Sequence, residues 1–171
     1  MAQCYQLLSH RPLNATAPAL HTGGSTFNEE EKMVSAITAV PPAASERAFA
    51  HFAAAFEFET DCWDVHDAIA SGKQDFVLFD ARSHALYEQG HVPGAVSMPH
   101  AKIVAGKLAG YPMETVFVVY CAGPHCNGGH RAALNLARLG RPVKLMIGGI
   151  TGWLDEGFAL ECGAAERHSA G

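Results

Sequence analysis

The chain has 171 residues, is 49% hydrophobic and 17% charged, and carries a net charge of 12 − 17 = −5. That length suits one domain with an extension, and the hydrophobic fraction excludes global disorder. The acidic balance excludes a protein built around a basic nucleic-acid footprint, while leaving room for a small cationic or amide-lined pocket.

No run approaches the ~18 apolar residues of a membrane span, so no membrane partner is expected. The opening residues have neither a basic start nor a sustained apolar stretch and do not read as a secretory signal. A cytoplasmic protein with reduced thiols is the expectation. The five cysteines, Cys4, Cys62, Cys121, Cys126 and Cys162, are odd in number and mostly far apart, which argues against a disulfide framework.

Residues 1–44 are read as an N-terminal extension, rich in Ala, Ser and Thr and marked by Pro12, Pro18, Gly23-Gly24, Pro41 and Pro42. A short helix is predicted inside it from Glu29 through Ile37. The domain proper is placed at residues 45–165. Ser45 is read as the N-cap of a helix running to Phe56. Its stripe of Phe49, Phe52 and Phe56 is expected to pack on the domain itself. The competing reading makes residues 1–56 a partner-binding arm or a homodimer contact. Thr60 or Asp61 caps a second helix through Ala70, stopped by Gly72, with Trp63 and Ile69 facing inward.

The texture then changes. Residues 75–80 form a short buried strand ending in Asp80, and Ser83 caps a helix through Gln89. A turn over 90–95 leads to a strand at 95–98, and residues 102–108 are predicted helical. Residues 115–120 are the most apolar strand, β-branched and aromatic. After a loop from Cys121 to Gly129, residues 131–139 form a helix closed by Gly140. A strand over 143–147 and a Gly148-Gly149 turn lead into a last short helix with Trp153, read as a core anchor. Short apolar strands alternating with helices mean an α/β domain with a mainly parallel sheet. Ligands of such sheets bind beyond the carboxyl ends of the strands, the edge where Cys121 lies.

The loop from Cys121 to Arg131 carries the chemistry: Ala122, Gly123, Pro124, His125, Cys126, Asn127, Gly128, Gly129 and His130 intervene. Its glycines are expected to let the backbone curl so that N–H groups converge, with at least one of Gly128 and Gly129 in a conformation costly for other residues. The helix start adds unpaired donors and a positive dipole end. Such a cradle binds an anion and favours a thiolate, which suits attack on sulfur, phosphorus or arsenic. Cys121, His125, Cys126 and His130 could ligate zinc. Zinc sites, however, usually pair cysteines about two to four apart with a distant second pair, so no metal is expected.

These features together resemble the rhodanese domain of sulfurtransferases. The matching motifs are Val77-Leu-Phe-Asp80-Ala-Arg82, then Glu88 and Gly90-His91-Val92-Pro93-Gly94-Ala95. Val118-Val119-Tyr120-Cys121 with its loop, and Gly148-Gly149 before Trp153, complete the set over about residues 60–161. The resemblance implies a three-layer fold: a mainly parallel five-stranded sheet flanked by helices. It implies transfer of sulfane sulfur from a small donor such as thiosulfate to a thiol or cyanide, through a cysteine persulfide, with no cofactor. The family's cysteine directly follows the strand, which is Cys121. The loop is longer than usual, and Cys126-Asn-Gly-Gly129-His-Arg131 offers a competing match; the fit of strand, connector and helix favours Cys121. Cys126 is then a second loop thiol, resolving or accepting sulfur. Asp80 and Arg82 are read as structural support, and Arg131 as either a substrate partner or a solvent-facing residue. Cys62 and Cys162 are read as inert packing.

Two other functions share the pattern. A phosphatase or arsenate reductase needs five residues between cysteine and arginine. Here nine follow Cys121 and four follow Cys126, so neither fits. A non-catalytic sulfur carrier or thiol redox sensor, acting with a protein partner, uses the same two cysteines and is not separated by sequence.

Overall fold

A computed structural model describes residues 34–163. The helix expected from Glu29 falls mostly outside these residues; the part inside is a turn, in which the Ser35 carbonyl accepts from the Thr38 and Ala39 amides. The compact unit that follows begins at Ala43.

Its centre is an all-parallel sheet of five strands: β1 Glu59–Thr60, β2 Phe76–Asp80, β3 Val96–Ser97, β4 Val116–Tyr120 and β5 Val143–Met146, in the order β1-β5-β4-β2-β3. The helices are α1 Ser45–Phe58, α2 Cys62–Ala70, α3 His84–Gln89, α4 Ala105–Leu108, α5 Gly128–Arg138 and α6 Gly149–Asp155. Successive strand residues face opposite sides, which divides the core in two. Leu78, Val118 and Tyr120 pack with Cys62, Val65, Tyr87, Ile150 and Trp153 on one face. Phe79, Phe117 and Val119 pack with Leu108, Ala132 and Leu136 on the other. Burial on both faces explains why β4 reads as an unbroken apolar run rather than an alternating one.

Helix ends follow local chemistry where a side chain can reach. Asp61 accepts from the Asp64 amide (2.8 Å) and Ser83 from the Leu86 amide (3.4 Å). Gly140, at φ +71, lets the Gly140 amide bond to the Ala137 carbonyl and the Arg141 amide to the Leu136 carbonyl, closing α5. Arg141 is buried there, its guanidinium donating to the carbonyls of Leu108, Tyr111 and Pro112.

Several expectations change. Ser45 is the first residue of α1 rather than its cap; Ala44 stands at the cap and supplies no side-chain bond. Phe49, Phe52 and Phe56 are 78%, 63% and 77% exposed, and no residue of α1 is buried. Helical spacing reports that residues share a face, not that anything covers it. Trp63 is also outward, at 57%, because the buried stripe of α2 runs through Cys62, Val65 and Ile69. Its indole N–H donates to Glu156 instead. Residues 102–108 do not form one helix: a 3-10 turn over His100–Lys102 and the short α4 are separated by buried Ile103, which has extended backbone. Cys162 is exposed rather than packed, whereas Cys62 is buried. Trp153 is 1% exposed with its indole N–H on the Ala159 carbonyl.

Candidate active site

β4 runs out of the core at Tyr120 and delivers Cys121, still buried, to the carboxyl edge of the sheet. The loop then turns sharply, with the Cys126 amide bonded to the Gly123 carbonyl (3.0 Å). This brings Cys126 back onto Cys121, and the two form a disulfide with Cα atoms 6.3 Å apart.

Helix α5 starts at Gly128, three residues earlier than its apolar pattern suggests. Asn127 stands at its cap without a side-chain bond, so the first turn keeps free donors. The Gly128 amide donates to Cys126 Sγ (3.4 Å), while the Gly129 and His130 amides have no backbone acceptor among the described residues. The Gly128 amide and the positive end of the helix thus lie beside the Cys126 sulfur.

The glycines act differently from the expectation. Neither Gly128, Gly129 nor Gly123 has a positive φ; at each, a Cβ would instead come within 3.0 Å of a side-chain atom. A Cβ on Gly128 would lie 2.7 Å from Cys121 Sγ and 3.3 Å from Cys126 Sγ. One on Gly129 would meet Leu145 Cδ1 at 2.7 Å, and one on Gly123 would meet Thr151 Oγ1 at 2.6 Å. The positive φ values at the site belong instead to Gly148 (+84) and Gly149 (+58), the cap and first residue of α6. A Cβ on Gly149 would strike the Cys121 carbonyl. Because that space stays open, the first turn of α6 clamps the loop: Ile150 N–H donates to the Cys121 carbonyl (3.1 Å), and Thr151 N–H (2.9 Å) and Oγ1 (3.0 Å) to that of Ala122.

A cavity of about 300 Å³ sits over the pair, lined by Cys121, Gly123, Pro124, Cys126, Gly129 and His130 on one side and by residues 145–149 on the other. Its size suits a small ligand. The wall from Leu145 to Gly149 was not anticipated as part of the site. The signal for it is a double glycine after a strand that ends at the same edge as β4. His125 and Arg131 are exposed and do not line the cavity, and no side-chain bond of Arg131 is seen among the described residues.

Asp80 and Arg82 lie on the neighbouring strand end, in a buried network of their own. The Asp80 carboxylate accepts from the Arg82 backbone amide (2.9 Å), from Arg82 Nε (3.0 Å) and Nη2 (2.6 Å), and from the Tyr120 hydroxyl (2.9 Å). Arg82 Nη2 also donates to the Gly90 carbonyl, and the Val92 amide to the Tyr120 hydroxyl. Burial disfavours the Arg82 cation, but its bond to Asp80 and that charge prevail and hold the guanidinium above its ordinary pKa. Burial, then the charge of Asp80, push the Tyr120 phenol up, so it stays a neutral donor. The network ties β2, β4 and the 90–95 turn together one residue before Cys121, fixing where β4 ends.

The sequence profile of the rhodanese-like domain matches residues 64–156. The chain belongs to that family. Its rhodanese-like fold is shared with the BH2092 protein from Bacillus halodurans, 34% identical, with a TM-score of 0.67 over 70% of this chain and 87% of that one. A thiosulfate sulfurtransferase from Pseudomonas aeruginosa is 25% identical with a TM-score of 0.52, covering 65% of this chain and 21% of the neighbour. An HTH-type transcriptional regulator, Rv0324 of Mycobacterium tuberculosis, is 33% identical over 94 residues, which is 55% of this chain. This rhodanese-like chain matches only 41% of the length of that regulator. No helix of the described residues is long and apolar enough to cross a membrane.

Proposed function

We propose that this rhodanese-like domain is a sulfurtransferase in which Cys121 carries sulfane sulfur as a persulfide. The observation that carries the reading is the position of Cys121: first residue after β4, buried, lining a small cavity and packed against the N-terminus of α5 at Gly128. The likeness to a thiosulfate sulfurtransferase supports the reaction class.

The cycle starts once a dithiol opens the Cys121–Cys126 disulfide. The Cys121 thiolate attacks the outer sulfur of thiosulfate. A Cys121–sulfur bond forms, the sulfur–sulfur bond of the donor breaks, and sulfite leaves with the electron pair. The amides of Gly129 and His130 stabilise the thiolate before attack and the persulfide anion after it. A thiolate or cyanide then takes the terminal sulfur and Cys121 leaves as the thiolate, so no cofactor is consumed. A reducing compartment such as the cytoplasm would keep the pair open.

The test is turnover of thiosulfate with cyanide by the reduced protein. Wild type forms thiocyanate and sulfite; Cys121→Ser forms neither, because a hydroxyl barely ionises near neutral pH and cannot hold sulfane sulfur. Activity retained in Cys121→Ser with the added sulfur found on the Cys126 peptide would reverse the assignment. The disulfide and the regulator-like relative favour a second reading, a thiol switch or sulfur carrier acting on a protein partner. It is distinguished by loading without turnover.

A further inference from the structure

The two-cysteine loop does something that a single cysteine would not. Cys126 reaches the sulfur of Cys121 directly, and the loop is shaped for that approach. The Gly123 carbonyl to Cys126 amide bond folds the loop back. Gly128 leaves vacant the space that any side chain would take from both sulfurs, and its amide points a donor at Cys126 Sγ. A group that contacts Cys121 Sγ in this way contacts the inner sulfur of a persulfide formed there.

Resting on the sulfurtransferase reading, we propose that Cys126 is a resolving thiol that reduces the Cys121 persulfide to hydrosulfide. The Cys126 thiolate attacks the inner sulfur. A Cys126–Cys121 disulfide bond forms, the bond from Cys121 to the terminal sulfur breaks, and that sulfur leaves as hydrosulfide with the electron pair. The sulfane sulfur gains two electrons, supplied by the two cysteines, which end as the disulfide seen in the structure. A dithiol reductant then regenerates both thiols by exchange. The chain therefore takes thiosulfate and a dithiol to sulfite, hydrosulfide and a cyclic disulfide, with no small acceptor. The internal thiol competes with outside acceptors because it is already held in place.

The test uses the full chain, reduced, freed of reductant under anaerobic conditions, and mixed with thiosulfate alone. Wild type should release one equivalent of sulfite and one of hydrosulfide per chain. Its intact mass should be that of the disulfide form, with no added sulfur. Cys126→Ser should release sulfite without hydrosulfide and keep one extra sulfur on the Cys121 peptide, removable by cyanide; Cys126→Ala should behave the same. Wild type that releases sulfite but keeps a stable persulfide beside a free Cys126 thiol would overturn this inference and leave the transferase reading standing. Release of no sulfite by wild type and variants alike would mean that the transferase reading itself has failed.

Discussion

Gly149→Ala tests the geometry that holds Cys121. Gly149 has φ +58, where an L side chain costs about 1–2 kcal/mol. Its Cβ would also strike the Cys121 carbonyl and lie 3.0 Å from the Gly123 amide nitrogen. Both are backbone atoms, so relief means moving the loop and weakening the Ile150 to Cys121 bond, worth about 1 kcal/mol. The sum is about 2–3 kcal/mol. Gly72→Ala is the matched control, since Gly72 has φ +68 with nothing within 4 Å of a Cβ, and should lose only the conformational part. Gly106→Ala, with open space and no positive φ, should be neutral or slightly stabilising. Urea unfolding of the oxidised proteins reads the difference. With a slope of about 2 kcal/mol/M, a loss of 3 kcal/mol lowers the midpoint by about 1.5 M. Sulfite release should slow as well, because the carbonyl that moves belongs to the nucleophile. Equal losses at Gly149 and Gly72 would refute the argument that the β5–α6 turn presses on Cys121.

Tyr120→Phe leaves the buried Asp80 carboxylate short of a donor and the Val92 amide short of an acceptor, and should cost about 1–3 kcal/mol in the same unfolding assay. Burial, with Asp61 and Glu156 adding charge, pushes the Cys62 thiol from 9.0 up to about 11. The folded state holds this proton more tightly, so the contribution is intact below pH 9 and is lost as pH rises to about 11. Urea midpoints from pH 8 to about 11 should therefore fall less in Cys62→Val than in wild type. Removal of residues 1–40 should leave a cooperatively unfolding domain, because every strand and the cysteine loop lie beyond it; loss of cooperativity in thermal unfolding would contradict this.

Local chemistry made much of the fold legible. β2 and β4 are buried on both faces and read as apolar runs; Asp61, Ser83 and Gly140 end helices through bonds that span only a few residues. β1 was not legible, because two residues at a sheet edge carry no periodicity and exist as a strand only by pairing with Leu145 and Met146. The Phe stripe of α1 was legible as a stripe but not as exposed, since whether a face is covered depends on distant elements. The burial of Arg141 likewise needs three carbonyls from residues 108–112.

The candidate site divides along the same line. That Cys121 sits at the mouth of a parallel sheet beside a second thiol follows from the order of strand, loop and helix. That the thiols are bonded follows from the loop's turn at Gly123, and that residues 145–149 form the opposite wall follows only from how β5 and α6 pack against the loop. The glycines show the reason most clearly. A glycine in sequence announces either an unusual φ or a missing volume, and only neighbours in space decide which. At Gly148 and Gly149 the backbone is left-handed, whereas at Gly123, Gly128 and Gly129 the requirement is room for atoms of Thr151, of the two sulfurs and of Leu145.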